Sequence, residues 1–124
     1  MAGPLLFAYG TLRDALQRDM ILRGAQSREV GPATAPGALY DLGNYPGLVD
    51  GGPGDRVPGV LVELADEAAL ARLDEYEDVD AGLFVRRRAS VRPDAGGDVE
   101  AWVYVYNRPV AGRRRITVWG EQPA

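Results

Sequence analysis

DEAALARLDEYED, residues Asp66–Asp78, is written as an amphipathic helix in a chain that otherwise reads as short strands. Asp66 can cap its N-terminus, acidic residues occupy the first turn, and no Pro or Gly interrupts it. At about 100° per residue, Ala69, Leu70, Leu73 and Tyr76 form one stripe, and Glu77 falls on it too, in line with Leu70 and Leu73. Glu75, Asp78 and Arg72 point elsewhere and Asp74 lies at the edge, so three of the carboxylates of DEYED read as solvated surface. Glu77 is instead aimed at the core. Stripping a carboxylate of its hydration costs on the order of several kcal/mol or drives its pKa upward, so a buried one needs a partner or a task. That makes Glu77 the first candidate for chemistry. The alternative is that it lies past the helix end and swings into solvent or pairs with an arginine.

On either side the pattern changes to strands. Val57–Leu64 (VPGVLVEL) precedes the helix, with Pro58 near its start, where a missing N–H is tolerated. Asp80–Gly82 then turns the chain into Leu83–Arg92, Pro93–Asp98 makes a hairpin turn, and Val99–Asn107 (VEAWVYVYN) returns. In that strand Ala101, Val103 and Val105 alternate with Trp102, Tyr104 and Tyr106, so the aromatics share one face, and either face can be the inner one. Upstream, Asp50–Asp55 is a surface turn, and Leu42–Val49 (LGNYPGLV) reads as an irregular but packed loop. Ser27–Val30 and Ala33–Leu42 read as two strands, or as one bent strand broken at Gly31-Pro32 and Pro36-Gly37. Leu5–Tyr9 (LLFAY) is a buried strand that Gly10 ends, leading through Thr11-Leu12-Arg13 into a helix over Asp14–Arg23 closed by Gly24. A last strand is expected at Ile116–Trp119. This order predicts a single α+β domain over 1–124: a small, mostly antiparallel mixed β-barrel or strongly curved sheet with two flanking helices. The 16 Gly and 9 Pro suit strands that bend at corners.

Composition narrows the chemistry. The 124 residues, 46% hydrophobic and 26% charged, make a globular domain, and a net charge of −4 gives no reason to expect nucleic acid. No apolar run is long enough to span a membrane and no signal peptide precedes the first strand, so a cytoplasmic protein is expected. All 14 basic residues are arginine, and with high Ala and Gly this points to a GC-rich genome rather than to a demand of the fold. There is no Cys, His or Lys, which excludes thiolate zinc sites, cysteine nucleophiles, imidazole bases, Schiff bases and P-loops. Catalysis is left to carboxylates, tyrosines, arginines, hydroxyls and backbone amides.

Two further features belong with Glu77. The junction YGTLR, Tyr9–Arg13, leaves unpaired amides beside a helix start, a cradle for a carboxylate or phosphate, or else is an ordinary tight turn. Tyr104 and Tyr106 supply phenols. At this point the chain resembles the gamma-glutamylcyclotransferase-like superfamily, which includes AIG2-like proteins and gamma-glutamylamine cyclotransferases. The resemblance rests on YGTL after an N-terminal apolar strand, GALYDLGNYPGLV, PGVLVEL, LDEYE before a strand, and AWVYVY, in that order from Leu5 to about Asn107.

The resemblance implies a small mixed barrel with a cavity at its mouth. It implies that the backbone of Tyr9, Gly10, Thr11 and Leu12 holds the α-carboxylate of a γ-glutamyl substrate, and that Glu77 is the catalytic acid/base. Where many relatives carry Tyr, this chain has Phe84; Arg86 matches an arginine common after that aromatic. The implied reaction is attack of the substrate's own α-amine on its γ-carbonyl, releasing 5-oxoproline and an amine. Positioning alone can contribute roughly 7–11 kcal/mol to such a cyclisation. A tetrahedral intermediate needs a donor, from the turn amides or from Tyr104 or Tyr106. Neither metal nor organic cofactor is called for. Two rival readings stay open: a non-catalytic small-molecule or protein-binding module of the same fold, and a hydrolase that yields glutamate.

Overall fold

The computed structural model describes residues 3–23 and 26–119. The elements run β1 (Leu5–Ala8), a 3-10 turn (Thr11–Arg13), α1 (Ala15–Leu22), β2 (Ser27–Pro36), β3 (Ala38–Asp41), β4 (Pro46–Val49), β5 (Arg56–Leu64), α2 (Glu67–Tyr76), β6 (Phe84–Pro93), β7 (Val99–Tyr106) and β8 (Arg114–Ile116). Strands pair in the order β1-β5-β2-β6-β7, and β1 closes the ring by pairing in parallel with β7 at Leu6 and Trp102. The result is a five-stranded mixed barrel. β4, β3 and β8 extend from β7 as a flap, with β4 parallel to it at Leu48 and Val105.

β1 shows why LLFA carries no polar alternation. Phe7 points into the barrel among Ala33, Ala35, Leu61, Ala101 and Val103. Leu6 and Ala8 point outward beneath Leu22 of α1 and Leu70 and Leu73 of α2. A strand covered on both faces reads as a continuous apolar run. In β7 the split is the same: Ala101 and Val103 face the barrel interior, while Trp102, Tyr104 and Tyr106 lie with the helix layer.

Several local expectations change. β2 runs unbroken through Gly31-Pro32, with a bulge against β5 at Val30 just before it; the break comes only at Pro36-Gly37. Half of the expected Leu42–Val49 loop is β4, and the last strand is Arg114–Ile116 rather than Ile116–Trp119. α1 is capped by Asp14, whose side chain accepts from the amides of Leu16 (2.8 Å) and Gln17 (3.3 Å), and Arg23 ends it in the left-handed region. The expected Gly24 cap lies outside the described residues. No described helix is long and apolar enough to cross a membrane.

Candidate active site

α2 starts as its sequence predicts, with the Asp66 carboxylate accepting from the Ala69 amide at 3.1 Å. Its other end sets the site. Asp78 adopts φ 53°, and the amides of Asp78 and Val79 bond back to the carbonyls of Glu75 (3.2 Å) and Asp74 (3.0 Å). This is the double bond pattern of a left-handed helix cap, and it pins Glu77 as the residue on which the helix turns. The Glu77 amide still bonds Leu73 O at 2.9 Å, so its side chain leaves the helix at a fixed angle.

That side chain opens into a cavity of about 310 Å³ at the barrel mouth. The walls come from the end of β1 (Tyr9), the turn Gly10–Leu12, the segment Asn44–Pro46, the end of α2 (Tyr76–Asp78), Leu83 and Phe84 at the start of β6, and Tyr104 of β7. Among the described residues, no arginine pairs with the Glu77 carboxylate. Loss of water, and secondarily the negative charge of Asp78, push its pKa from the ordinary 4.5 to about 7.

The turn facing it is built firmly. Its own bonds run from Arg13 N to Gly10 O (3.0 Å) and from Asp14 N to Thr11 O (3.1 Å). Among the described residues, the amides of Gly10, Thr11 and Leu12 donate none of the turn's bonds. Beneath it, Arg18, 3% exposed, donates to Leu12 O (2.9 Å) and to Ser27 Oγ (3.2 Å), and pairs with Glu29 at 3.6 Å. Arg13 donates to Trp119 O at 2.8 Å, fastening the turn to the end of the described chain. A Cβ on Gly10 would stand 2.9 Å from the Pro46 ring, so glycine is what lets the β4 segment close on the turn.

The predicted tyrosines divide. The buried Tyr9 hydroxyl donates to the Tyr104 carbonyl and accepts from the Leu48 amide at 3.4 Å, joining β1, β7 and β4. Burial, and then the charge of Glu77, push its pKa up, against the Leu48 amide. Tyr104 is a cavity wall, and its hydroxyl donates to Asp74 Oδ1 at 2.7 Å. Burial first, then Asp74, hold its proton in place, and its pKa rises. Tyr106 is not a wall of the cavity; its ring packs against Phe84, with centroids 5.5 Å apart and Tyr45 on the far side of Phe84 at 6.0 Å.

Asp74 is the main correction. Read as solvated, it is instead a partly buried acceptor for Tyr104 and for Arg86, whose Nε and Nη2 reach its two oxygens at 2.7 and 3.2 Å. The expected turn at Pro93–Asp98 would set Arg86 opposite Val105; the observed register, shifted by one residue, sets it opposite Tyr104. Asn44–Pro46 carries no comparable sign. Among the described residues no group of acidic side chains is gathered as a metal ion would require.

Comparison with known proteins agrees with this architecture. Residues 6–120 match the family model described as gamma-glutamyl cyclotransferase, AIG2-like. A Vibrio cholerae protein provisionally named a gamma-glutamylcyclotransferase is 40% identical over 102 residues, 82% of this chain and 81% of the other. The gamma-L-glutamyl-butirosin B gamma-glutamyl cyclotransferase of Niallia circulans is 36% identical over 124 residues, 94% and 75%. In fold, the crystal structure of a mouse AIG2-like protein superposes with a TM-score of 0.79 at 24% identity, covering 96% of this chain and 89% of that one.

Proposed function

The chain belongs to the AIG2-like gamma-glutamyl cyclotransferase family and is an enzyme of that type, and from this premise we propose that Glu77 is its general acid/base in the cyclisation of a small γ-glutamyl amide. One observation carries the reading: a carboxylate without a cation, shielded from water on a cavity wall, with its pKa lifted to about 7. Such a group is half ionised at neutral pH and can both take and return a proton.

The free amides of Gly10, Thr11 and Leu12 grip the substrate's α-carboxylate, which folds the glutamyl chain back on itself. Glu77 takes a proton from the α-ammonium. The amine nitrogen then forms a bond to the γ-carbonyl carbon, and the carbonyl electron pair moves to oxygen. Glu77 returns that proton to the amide nitrogen, the oxygen's electron pair re-forms the carbonyl as the C–N bond breaks, and the second hydrogen of the ring nitrogen passes through Glu77 to the departing amine, so that 5-oxoproline and an ammonium leave. Negative charge on the tetrahedral oxygen falls to the turn amides, because the Tyr104 proton goes to Asp74.

The walls also bear on the leaving group. Among the described residues the cavity presents Glu77 and Asp78 and no arginine, and the residues outside the description contain none. A carboxylate on the carbon next to the scissile nitrogen would meet two acids unpaired, so an amine without that carboxylate fits better than an amino acid. Incubation with a panel of γ-glutamyl amides, assayed for 5-oxoproline, tests the reading. Release by the wild-type protein and its loss in Glu77→Gln are expected; full turnover in the variant removes Glu77 from the mechanism, and glutamate as product would establish a hydrolase.

A further inference from the structure

The hydrogen bonds behind the cavity wall fix more than a phenol's position; they fix which way it faces. A guanidinium can only donate, so both Asp74 oxygens already accept from Arg86, and the hydrogen between Asp74 Oδ1 and Tyr104 belongs to the tyrosine. A phenol has one proton. The weaker alternative acceptor, Leu70 O at 3.5 Å, lies one turn earlier on the same helix as Asp74. The Tyr104 oxygen therefore has lone pairs to offer, on a residue that lines the cavity.

We propose that Arg86 and Asp74 are positioning residues which turn Tyr104 into a hydrogen-bond acceptor, and that its oxygen and Glu77 together seat the α-ammonium of a γ-glutamyl group. The inference rests on the cyclotransferase reading and reverses one part of the role the sequence suggested for Tyr104, that of oxyanion donor. Of the polar groups on a γ-glutamyl amide, the ammonium is the strongest donor, and it must come within proton-transfer reach of Glu77. Tyr104 stands close enough to Glu77 for the carboxylate's charge to act on its phenol. Arg86 is itself locked: it lies opposite Tyr104 across the β6–β7 pairing and stacks over Trp102 at 4.3 Å, with Arg88 over the same ring at 4.9 Å.

The test deletes the contact from both sides. Tyr104→Phe is expected to raise KM for a γ-glutamyl alkylamide on the order of tenfold, with kcat changed by less than about threefold. An N-alkyl glutaramate, the same molecule without the α-amine, should inhibit wild type and Tyr104→Phe equally, and this equality also shows that the variant is folded. Arg86→Gln and Asp74→Asn should show the same KM signature, with partial recovery in Arg86→Lys. A fall in kcat of about 10²–10³-fold at unchanged KM would make Tyr104 an oxyanion donor and overturn the proposal. Equal weakening of the amine-bearing and amine-free ligands would also overturn it, as would wild-type kinetics in Arg86→Gln. If the wild-type protein released no 5-oxoproline at all, the cyclotransferase mechanism would fall, while calorimetric binding of the two ligands to wild type and Tyr104→Phe would still decide the seat.

Discussion

The last turn of α2 and the outer face of the β6–β7 ribbon use the same ingredients and arrange them in opposite ways. On the outer face, Arg88 pairs with Glu100 at 3.6 Å and Arg92 with Asp98 at 3.2 Å, each side chain more than half in water. At the helix end, Asp74 is forked by Arg86 in a half-dry setting while Glu77, one turn on, has no cation among the described residues. Where water is plentiful, these pairs are loosely held and little depends on them. Where water is scarce, one charge is matched with tight geometry and the other is left unmatched. Leaving a carboxylate unpaired in such a place works against folding, and sites that tolerate it are sites of chemistry.

The largest break in this contrast is Glu77→Gln. General acid/base catalysis contributes about 10²–10⁴-fold, so 5-oxoproline release should fall by that factor while the cavity persists. The same change should help the fold. With a folded pKa of about 7 against an unfolded 4.5, the unfolded chain gives up this proton more readily, so wild-type stability declines as pH rises from about 4.5 to about 7. Glu77→Gln should therefore melt higher than wild type at pH 8, and the gain should vanish below about pH 4.5. A variant that melts lower at pH 8 would mean that Glu77 has a stabilising partner after all.

A milder handle is pH itself. The base form of Glu77 must receive the ammonium proton, so kcat/KM should level off above about pH 7 and fall about tenfold for each unit below it. An inflection near 4.5 would place the working carboxylate in open solvent.

Much of this contrast was legible in the chain, and the part that was not has identifiable causes. Helical periodicity found Leu70, Leu73 and Glu77 because their neighbours on the stripe are local in sequence. It misplaced Asp74, whose partners Arg86 and Tyr104 arrive from a later hairpin, and no periodicity of α2 reports them. It also overstated Tyr76, which is 46% exposed because the helix end overhangs the cavity rather than the core. β4 was hidden by composition instead: Pro46 and Gly47 read as loop residues, although they pair with Asp41 and Tyr40 of β3 just upstream, and only Leu48 reaches β7. In α1, Leu16 and Met20 are 73% and 71% exposed, while Leu22 and Ile21 carry the packing.

Asp78→Asn sharpens the contrast at smaller scale. Asn tolerates the left-handed backbone that Asp78 occupies, so the helix cap should survive and only a charge is lost. Among γ-glutamyl amides with cationic, neutral and carboxylate-bearing leaving groups, wild type should prefer them in that order by kcat/KM, and the variant should narrow the spread several-fold. An equal loss for all three would assign Asp78 to the glutamyl half of the substrate instead. Glu77 should also ionise more readily once its negative neighbour is gone, so the pH profile should shift downward.

The smallest effect belongs to the outer face. Arg92 and Asp98 sit on either side of the hairpin turn between β6 and β7, and both keep more than half of their side chains in water. Solvent already satisfies each ion, and ordering two flexible side chains offsets most of the Coulomb attraction. A double-mutant cycle of Arg92→Ala and Asp98→Ala should give a coupling within about 0.5 kcal/mol, smaller still in high salt, with 5-oxoproline release untouched. A coupling several times larger would mean that the face is drier than its exposure indicates, and the contrast between loosely held pairs in water and the unpaired Glu77 carboxylate at the cavity would lose its basis.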